Sequence, residues 1–171
     1  INEPWTFILA WTTTPWTLIG NSALAVDNTG KVKYVQVEIL ESTKDSLVKG
    51  DKYILSRNYF EKNFVLSPDV KLEVSDFDIN SLIGEKYKPL FDYYVTNDGV
   101  PLVESRPILN GWKIYGAEFV NADEGTGVVH IAPAFGEDDA NLSKEYQLPF
   151  IQHVGMGGII KNEAKDFAGM S

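Results

Sequence analysis

The chain has 171 residues, of which 44% are hydrophobic and 23% are charged, and its formal net charge is −9 at pH 7. This length and composition are typical of a globular domain with a sizeable core. The negative charge argues against a long nucleic-acid duplex as ligand, because neutralising its phosphates needs clustered Lys and Arg. A nucleic-acid contact is therefore expected to be short, or to be supported by another domain.

The residue inventory also restricts the chemistry. The chain has no cysteine, which excludes disulfides and thiolate metal sites. Its two histidines, His130 and His153, lack the spacing of a zinc site, so we expect neither a metal nor another cofactor. No apolar run approaches the roughly 20 residues that span a bilayer, so no membrane partner is expected. No secretory leader is visible. The first residue is Ile1 and not methionine, so we expect a fragment excised from a longer protein, although processing would give the same start.

The N-terminal part predicts short strands. The apolar and β-branched residues 5–10 are typical of a buried strand, and Pro15 stops it because proline has no N–H to donate to a ladder. Alternating residues predict a half-buried strand over 32–40. The turn residues 27–30 make a hairpin with residues 24–26 the expected pairing.

The remaining predicted elements are short and irregularly spaced. Residues 137–146 are the best helix, because Asp138 and Asp139 suit its first turn. Many short strands with few helices predict a mainly β fold, specifically a closed β-barrel-like domain with small α insertions, in a single domain over residues 1–171. The other predicted elements are strands at 53–55, 70–74, 118–120, 128–131 and 149–151, one or two helical turns at 57–64, and turns at 97–99 and 109–111.

Three consecutive threonines follow the first predicted strand. Thr12, Thr13 and Thr14 precede Pro15 and lie between two tryptophans. Groups at the end of a strand are held by a rigid sheet, which favours a binding role. The same residues are also typical of an edge strand followed by a turn, because threonine is β-branched. The three threonines distinguish a binding role from an edge strand only when they are considered together with a second segment.

That second segment covers residues 125–139. It begins with two glycines around Thr126, continues through His130, and leads by Gly136 into a helix that carries Asp138 and Asp139. Free backbone N–H groups at a helix start favour an ionised carboxylate, which is a good receptor for an ammonium group. Taken singly, the two carboxylates are more typical of helix capping, and the histidine is more typical of a structural or exposed residue than of a catalytic one.

Together the two segments resemble the editing, or connective peptide (CP1), domain of isoleucyl-tRNA synthetases. The first resembles that family's threonine-rich peptide, and the second resembles its second editing motif. The residues that carry the first are Thr12, Thr13, Thr14, Pro15, Trp16, Thr17, Leu18 and Asn21; those of the second are Gly125, Thr126, Gly127, Val129, His130, Ala132, Pro133, Gly136, Asp138 and Asp139. Two further parts extend the resemblance to nearly the whole chain, namely Leu82, Gly84, Tyr87, Pro89, Leu90 and Phe91, and the stretch 166–169.

The departures concern the branch of the family. Pro15-Trp16 separates the isoleucine enzymes from the valyl and leucyl enzymes, which typically carry Thr-Thr-Arg-Pro followed by Glu or Asp. Leu18-Ile19-Gly20-Asn21 stands where bacterial isoleucyl enzymes usually have Leu-Pro-Ala-Asn, and Phe135 where many have histidine. The nucleotide-binding signatures of the synthetic domain are absent, so no aminoacylation is expected from these residues.

The resemblance implies hydrolytic proofreading. An isoleucine pocket admits valine, and one methylene gives too little selectivity, so a second pocket too small for isoleucine hydrolyses the valyl ester of tRNA. The implied partners are the valine-carrying 3′ end of tRNA(Ile) and the rest of the synthetase chain in cis. A cytoplasmic monomer without cofactor is expected.

The resemblance also implies roles for individual residues. Asp139 would bind the α-amino group, and His130 would limit the size of the amino-acid pocket. An aminoacyl ester is already activated, so a positioned water and donors to the oxyanion could suffice. His130 as general base is an alternative, whereas a covalent threonine is disfavoured because no base is evident beside it. Thr12, Thr13 and Thr14 would hold the adenosine and ester and place the water, Thr17 and Asn21 would support them or contact substrate, and Trp16 would be a pocket wall, a stacking surface or part of the core.

Two other readings remain open. The domain could hold the aminoacylated 3′ end without hydrolysing it, as a binding module. It could also be a structural β-domain with a threonine-rich edge strand.

Overall fold

The computed structural model describes residues 4–43, 47–64, 68–94, 110–121, 123 and 125–171. The turn predicted at 97–99 lies outside these residues, as does residue 109 of the second predicted turn. The described elements are the strands β1 (Thr6–Ile8), β2 (Ala23–Val26), β3 (Tyr34–Ser42), β4 (Lys52–Ser56), β5 (Val70–Phe77), β6 (Ile114–Gly116) and β7 (Val128–Ile131), the helices α1 (Arg57–Asn63) and α2 (Glu137–Tyr146), and two 3₁₀ helices, Pro15–Gly20 and Ile79–Leu82.

Four strands form a mixed sheet in the order β1-β4-β3-β5. Strand β1 is parallel to β4, and the other neighbours are antiparallel. The alternation predicted for residues 32–40 is confirmed, because Val35, Val37 and Ile39 are buried while the residues between them are partly exposed. Helix α1 starts at the N-cap Ser56, whose side chain accepts from the Tyr59 amide at 3.2 Å.

The other sheet has the order β6-β2-β7. All four residues of β2 are buried, as expected of a central strand with neighbours on both sides. The predicted hairpin between residues 24–26 and β3 is wrong, because β2 pairs with β6 and β7 instead. The Asp27 carboxylate forms the turn after β2 by accepting from the amides of Thr29 and Val32 at 2.9 and 2.7 Å.

The prediction of a closed β-barrel is wrong for the part of the chain that the structure describes. Its strands form two open sheets with mixed pairing, and few helices accompany them. Strand β5 pairs only with β3 and leaves one edge of its sheet open. Strands as short as β1 and β6, with three residues each, cannot continue a ladder far enough to close it.

Three further strand predictions need correction. The strand predicted as buried over 5–10 shortens to β1, and Thr6 and Phe7 are exposed because β1 is an edge strand. Residues 118–120 form a turn region instead of a strand. Residues 149–151 also form no strand, although Ile151 is buried, because packing in the core requires no ladder.

The chain divides into two compact units. The first comprises Ile1–Trp11, Ala25–Ile83 and Gly116–Val129, and the second comprises Thr12–Leu24, Gly84–Tyr115 and His130–Ser171. The first unit has a core of Val35, Val37 and Leu55 with rings from α1. The second has a core of Ile19, Tyr94, Trp112, Ile151 and Ala164. No helix in the described ranges is long and apolar enough to cross a membrane.

Candidate functional site

All of the predicted site residues fall in the second unit. They come from two sequence segments, residues 12–21 and residues 130–139, which a long intervening stretch separates. These residues are Thr12, Thr13, Thr14, Trp16, Thr17, Asn21, His130 and Asp139.

Hydrogen bonds among the threonines themselves hold the conformation of residues 12–17. The Thr14 amide donates to Thr12 Oγ1 at 3.0 Å. The Thr14 carbonyl accepts from both the amide and the hydroxyl of Thr17, at 3.0 and 2.8 Å. Pro15 begins the 3₁₀ helix at this point, where its missing N–H costs no bond. Thr13 and Thr14 remain exposed, so their hydroxyls are open to a ligand.

His130 joins the second segment to the first. Its side chain is buried, with 8% of the residue exposed, and Nε2 lies 2.8 Å from Thr17 Oγ1. When the Thr17 hydroxyl donates its only hydrogen to the Thr14 carbonyl, its oxygen accepts from Nε2–H, and we assign the histidine tautomer on this basis. This leaves Nδ1 without a proton, 3.5 Å from Asn21 Nδ2. Burial lowers the pKa of His130, which favours this neutral form.

Both polar side-chain atoms of Asn21 and its backbone carbonyl form hydrogen bonds. Its Oδ1 accepts from the Tyr87 hydroxyl at 2.5 Å, and its Nδ2 donates to the Ala23 carbonyl at 2.9 Å. Its own carbonyl accepts from Trp112 Nε1 at 3.1 Å. The amide is therefore fixed in one orientation and orders the end of the threonine-rich peptide.

The Asp139 side chain folds back from α2 toward β7. Its Oδ2 accepts from the Ala132 amide at 2.8 Å. Gly136 permits this position, because a Cβ added there would lie 3.0 Å from Asp139 Cγ. Burial raises the pKa of Asp139, the neighbouring Asp138 charge adds to this, and the bond from Ala132 opposes it. Asp138 itself is exposed.

Trp16 lies on the surface at the edge of an aromatic cluster, which we define as Trp16, Phe135 and His153. The residue Trp16 is 49% exposed, and its ring meets that of Phe135 edge-on, with ring centroids 5.0 Å apart. His153 is fully buried and donates from Nε2 to the Trp16 carbonyl at 3.0 Å. One face of Trp16 is thus supported by protein while part of the ring is open.

The two glycines at the start of the second segment, Gly125 and Gly127, pack against side chains of the first unit. A Cβ added at Gly125 would lie 2.9 Å from the Trp11 side chain, and one at Gly127 would lie 2.9 Å from Ser56. Both have positive φ, 67° and 72°. The Gly127 carbonyl accepts from the Tyr34 hydroxyl at 2.6 Å. These contacts explain the two glycines by packing alone.

Sequence reasoning assigned no role at the site to Tyr87 or His153. Tyr87 stood in a segment of the family resemblance, but its bond to Asn21 spans 66 positions and has no sequence signature. His153 packs against Gly20, where an added Cβ would lie 2.8 Å from His153 Nδ1, but a glycine 133 positions away does not reveal this contact in the sequence. Across the described ranges, no group of three His, Asp or Glu residues could hold a metal ion.

No protein-family model matches the chain. Curated relatives match 95% of it: the isoleucine–tRNA ligase of Chlamydia trachomatis is 38% identical over 165 residues, that of Wolbachia pipientis 33% over 192, and the probable cytoplasmic isoleucine–tRNA ligase of Dictyostelium discoideum 33% over 172. The chain is homologous to one segment of the isoleucine–tRNA ligases. It spans only 14–16% of the length of these relatives.

Comparison with solved structures shows the fold. The editing domain of the P. falciparum cytosolic leucyl-tRNA synthetase aligns with a TM-score of 0.51 at 14% identity, over 90% of this chain and 57% of that one. The corresponding P. knowlesi domain aligns with a TM-score of 0.50 at 15% identity, over 83% and 52%. The chain therefore has the fold of these editing domains, and the resemblance to the CP1 domain of isoleucyl-tRNA synthetases predicted from the sequence is confirmed.

Proposed function

We propose that the chain proofreads tRNA(Ile) by hydrolysing the ester that links it to valine, and that it excludes isoleucine by the size of its pocket. Homology to isoleucine–tRNA ligases and an editing-domain fold support a proofreading role. The substrate follows from the problem that this family faces, since isoleucine and valine differ by one methylene.

The observation that carries the proposal is the hydrogen bond between Thr17 and His130. It brings the exposed threonines into one compact unit with the segment that leads to Asp139. The first segment supplies hydroxyl and backbone groups that can bind the ester. The second segment supplies a carboxylate that can bind the α-ammonium group.

The reaction needs no covalent intermediate. A water molecule attacks the ester carbonyl carbon, the bond to the ribose oxygen breaks, and that oxygen takes up the proton that the water loses, which releases valine and tRNA. Thr13 and Thr14 supply hydroxyl and backbone groups that orient the ester and the water. Thr12 shapes this peptide through its bond to the Thr14 amide. Asp139 receives the α-ammonium group, which fixes the amino acid relative to the threonines.

The proposed role of His130 is steric, because its ring limits the size of the amino-acid side chain that the site admits. Its Nε2 is bound to Thr17 and its Nδ1 faces the Asn21 amide, so neither nitrogen is free to take a proton from water. A buried, oriented imidazole is a rigid wall for a small aliphatic side chain. Thr17 and Asn21 support the peptide, and the exposed ring of Trp16 offers a stacking surface for a base.

The second candidate function is binding without hydrolysis. It is favoured by the engagement of both His130 nitrogens, which leaves no free imidazole nitrogen at the site to act as a general base. In either case the partners are the aminoacylated 3′ end of tRNA(Ile) and the remainder of a synthetase chain in cis, within a cytoplasmic monomer.

The test is the release of valine from valyl-tRNA(Ile) by the 171-residue chain and by two variants. We expect hydrolysis by the wild type and a loss of about tenfold to hundredfold in Asp139→Ala, because a charged hydrogen bond contributes about 1.5–3 kcal/mol. The matched control Asp138→Ala, one residue away and exposed, should hydrolyse normally. Binding of valyl-tRNA without valine release would favour the binding module, and equal rates for Asp139→Ala and wild type would contradict the assigned role.

A further inference from the structure

The Tyr87 hydroxyl is bonded to the candidate site although the ring lies outside it. The Tyr87 amide donates to the Trp112 carbonyl at 3.0 Å, and its ring packs against the core of the second unit. The hydroxyl reaches Asn21 Oδ1 at 2.5 Å. Burial strongly raises the pKa of Tyr87, so the hydroxyl keeps its proton and acts as the donor.

This bond sets the direction of the Asn21 amide. With Oδ1 turned to Tyr87, Nδ2 points to the Ala23 carbonyl at 2.9 Å and to His130 Nδ1 at 3.5 Å. Nδ2 carries only hydrogens, so a proton on His130 Nδ1 would face another donor. The amide therefore favours the histidine tautomer that carries its proton on Nε2.

The hydrogen bonds at the other nitrogen fit the same tautomer. Nε2–H donates to Thr17 Oγ1, and the Thr17 hydroxyl donates to the Thr14 carbonyl at 2.8 Å. The proton directions agree along the whole path from Tyr87 to Thr14. Each link has one donor and one acceptor, and reversing any one of them would place two donors or two acceptors together.

We propose that Tyr87 is a positioning residue for the site: through Asn21 it holds His130 in the Nε2–H tautomer, and through Thr17 it fixes the carbonyl of Thr14. The effect on hydrolysis rests on the proposed function, whereas the effect on the histidine tautomer does not. A merely structural Tyr87 would stabilise the unit without influencing which nitrogen of His130 carries the proton.

The experiment compares Tyr87→Phe with Tyr115→Phe. Both remove one hydroxyl from the second unit, and the Tyr115 hydroxyl donates to the Asn110 carbonyl at 2.7 Å, which is not linked to His130 by any bond of this path. Heteronuclear NMR of isotopically labelled histidine reports the protonation of each ring nitrogen above the pH range in which histidine titrates. His153 is an internal reference in the same spectra, because its Nε2 is bound to Trp16.

We expect the wild type to show His130 protonated at Nε2, and Tyr87→Phe to shift both nitrogen signals toward a mixture of tautomers. Valine release should fall about tenfold in Tyr87→Phe, because small displacements of positioning groups reduce rates by such factors. Tyr115→Phe should leave the tautomer and the rate unchanged.

Three results would overturn the proposal. A wild-type His130 protonated at Nδ1 would do so even if the variant failed to fold. So would an unchanged tautomer in a folded Tyr87→Phe chain, or a changed tautomer with an unchanged rate of valine release. If the wild type releases no valine, the proposed function fails, while a tautomer shift in Tyr87→Phe would still support the positioning of His130.

Discussion

The hydroxyl of Thr17 lies 2.8 Å from Nε2 of His130, although 113 positions separate the two residues in the sequence. Thr17 is buried, and its hydroxyl links the histidine to the carbonyl of Thr14. This contact joins the two segments that resemble editing motifs. Thr17 and His130 are buried, whereas Thr13 and Thr14 are exposed, and in the proposed function the exposed pair contacts the ligand.

Replacing Thr17 by valine should therefore destabilise the chain. Thr17→Val keeps the shape but removes a hydroxyl that serves both the Thr14 carbonyl and the buried His130. Leaving a buried polar group without its partner costs about 1–3 kcal/mol, which urea denaturation can measure as a fall in the free energy of unfolding. The matched control Thr13→Val, at an exposed position, should change that free energy by no more than about 0.5 kcal/mol. It should nevertheless reduce hydrolysis of valyl-tRNA. Equal stability losses in the two variants would contradict the distinction between support and contact.

Enlarging the pocket at His130 should relax selectivity. In His130→Ala the wall that limits the side chain is removed, so hydrolysis of isoleucyl-tRNA(Ile) should rise relative to hydrolysis of valyl-tRNA(Ile). The measurement is the ratio of the two deacylation rates for the wild type and the variant. A collapse of both rates at an unchanged ratio would instead assign His130 a chemical role.

How far the sequence predicts this molecule differs between its parts. The alternation of Val35, Val37 and Ile39 and the carboxylates at the start of α2 are local signals, and both elements are found where they were expected. The hairpin and the closed barrel were wrong because pairing partners depend on distant residues, which a local turn signal does not determine. The site residues were proposed from a family resemblance. The bond of Tyr87 to Asn21 joins positions 66 apart, and no spacing rule predicts it.

Gly20 should resist substitution by alanine. An added Cβ would lie 2.8 Å from Nδ1 of the fully buried His153 and 3.1 Å from the Ile151 carbonyl. Overpacking of this kind costs about 1–3 kcal/mol of unfolding free energy. Gly155→Ala is the control in the same unit, because its Cβ would meet nothing closer than 3.5 Å. If thermal unfolding shows equal midpoints for the two variants, the close approach of His153 is not what selects glycine at this position.

Acidification should weaken the fold through its two histidines. Burial lowers the pKa of both His130 and His153 below the ordinary value near 6.5. The unfolded chain then binds more protons than the folded chain, so the free energy of unfolding falls as the pH drops from that value through the folded pKa values. Urea denaturation between about pH 7 and pH 5 measures the slope. His130→Gln should reduce the slope, and an unchanged slope would contradict the burial of an uncharged His130.

Titration of Asp139 should change the free energy of unfolding in the opposite sense to that of the two histidines, and at a lower pH. Its pKa in the folded chain is raised above the ordinary value of 3.8, chiefly by burial. Protonation therefore relieves a penalty, and this residue contributes stability as the pH falls through the raised value. Asp139→Asn should remove that contribution in urea denaturation series, whereas Asp138→Asn should retain the part that burial causes, which is the largest. Identical pH profiles for Asp139→Asn and the wild type would contradict the assignment.

The central claim is that the threonine-rich peptide and the segment ending at Asp139 bind one aminoacyl ester together. The most direct measurement is a crystal structure of the chain with a non-hydrolysable analogue of valyl-adenosine. We predict the ammonium group of the analogue on the Asp139 carboxylate, its adenosine and ester beside Thr13 and Thr14, and its isopropyl group against His130. An analogue bound away from either segment, or bound with its ammonium group remote from Asp139, would contradict the account.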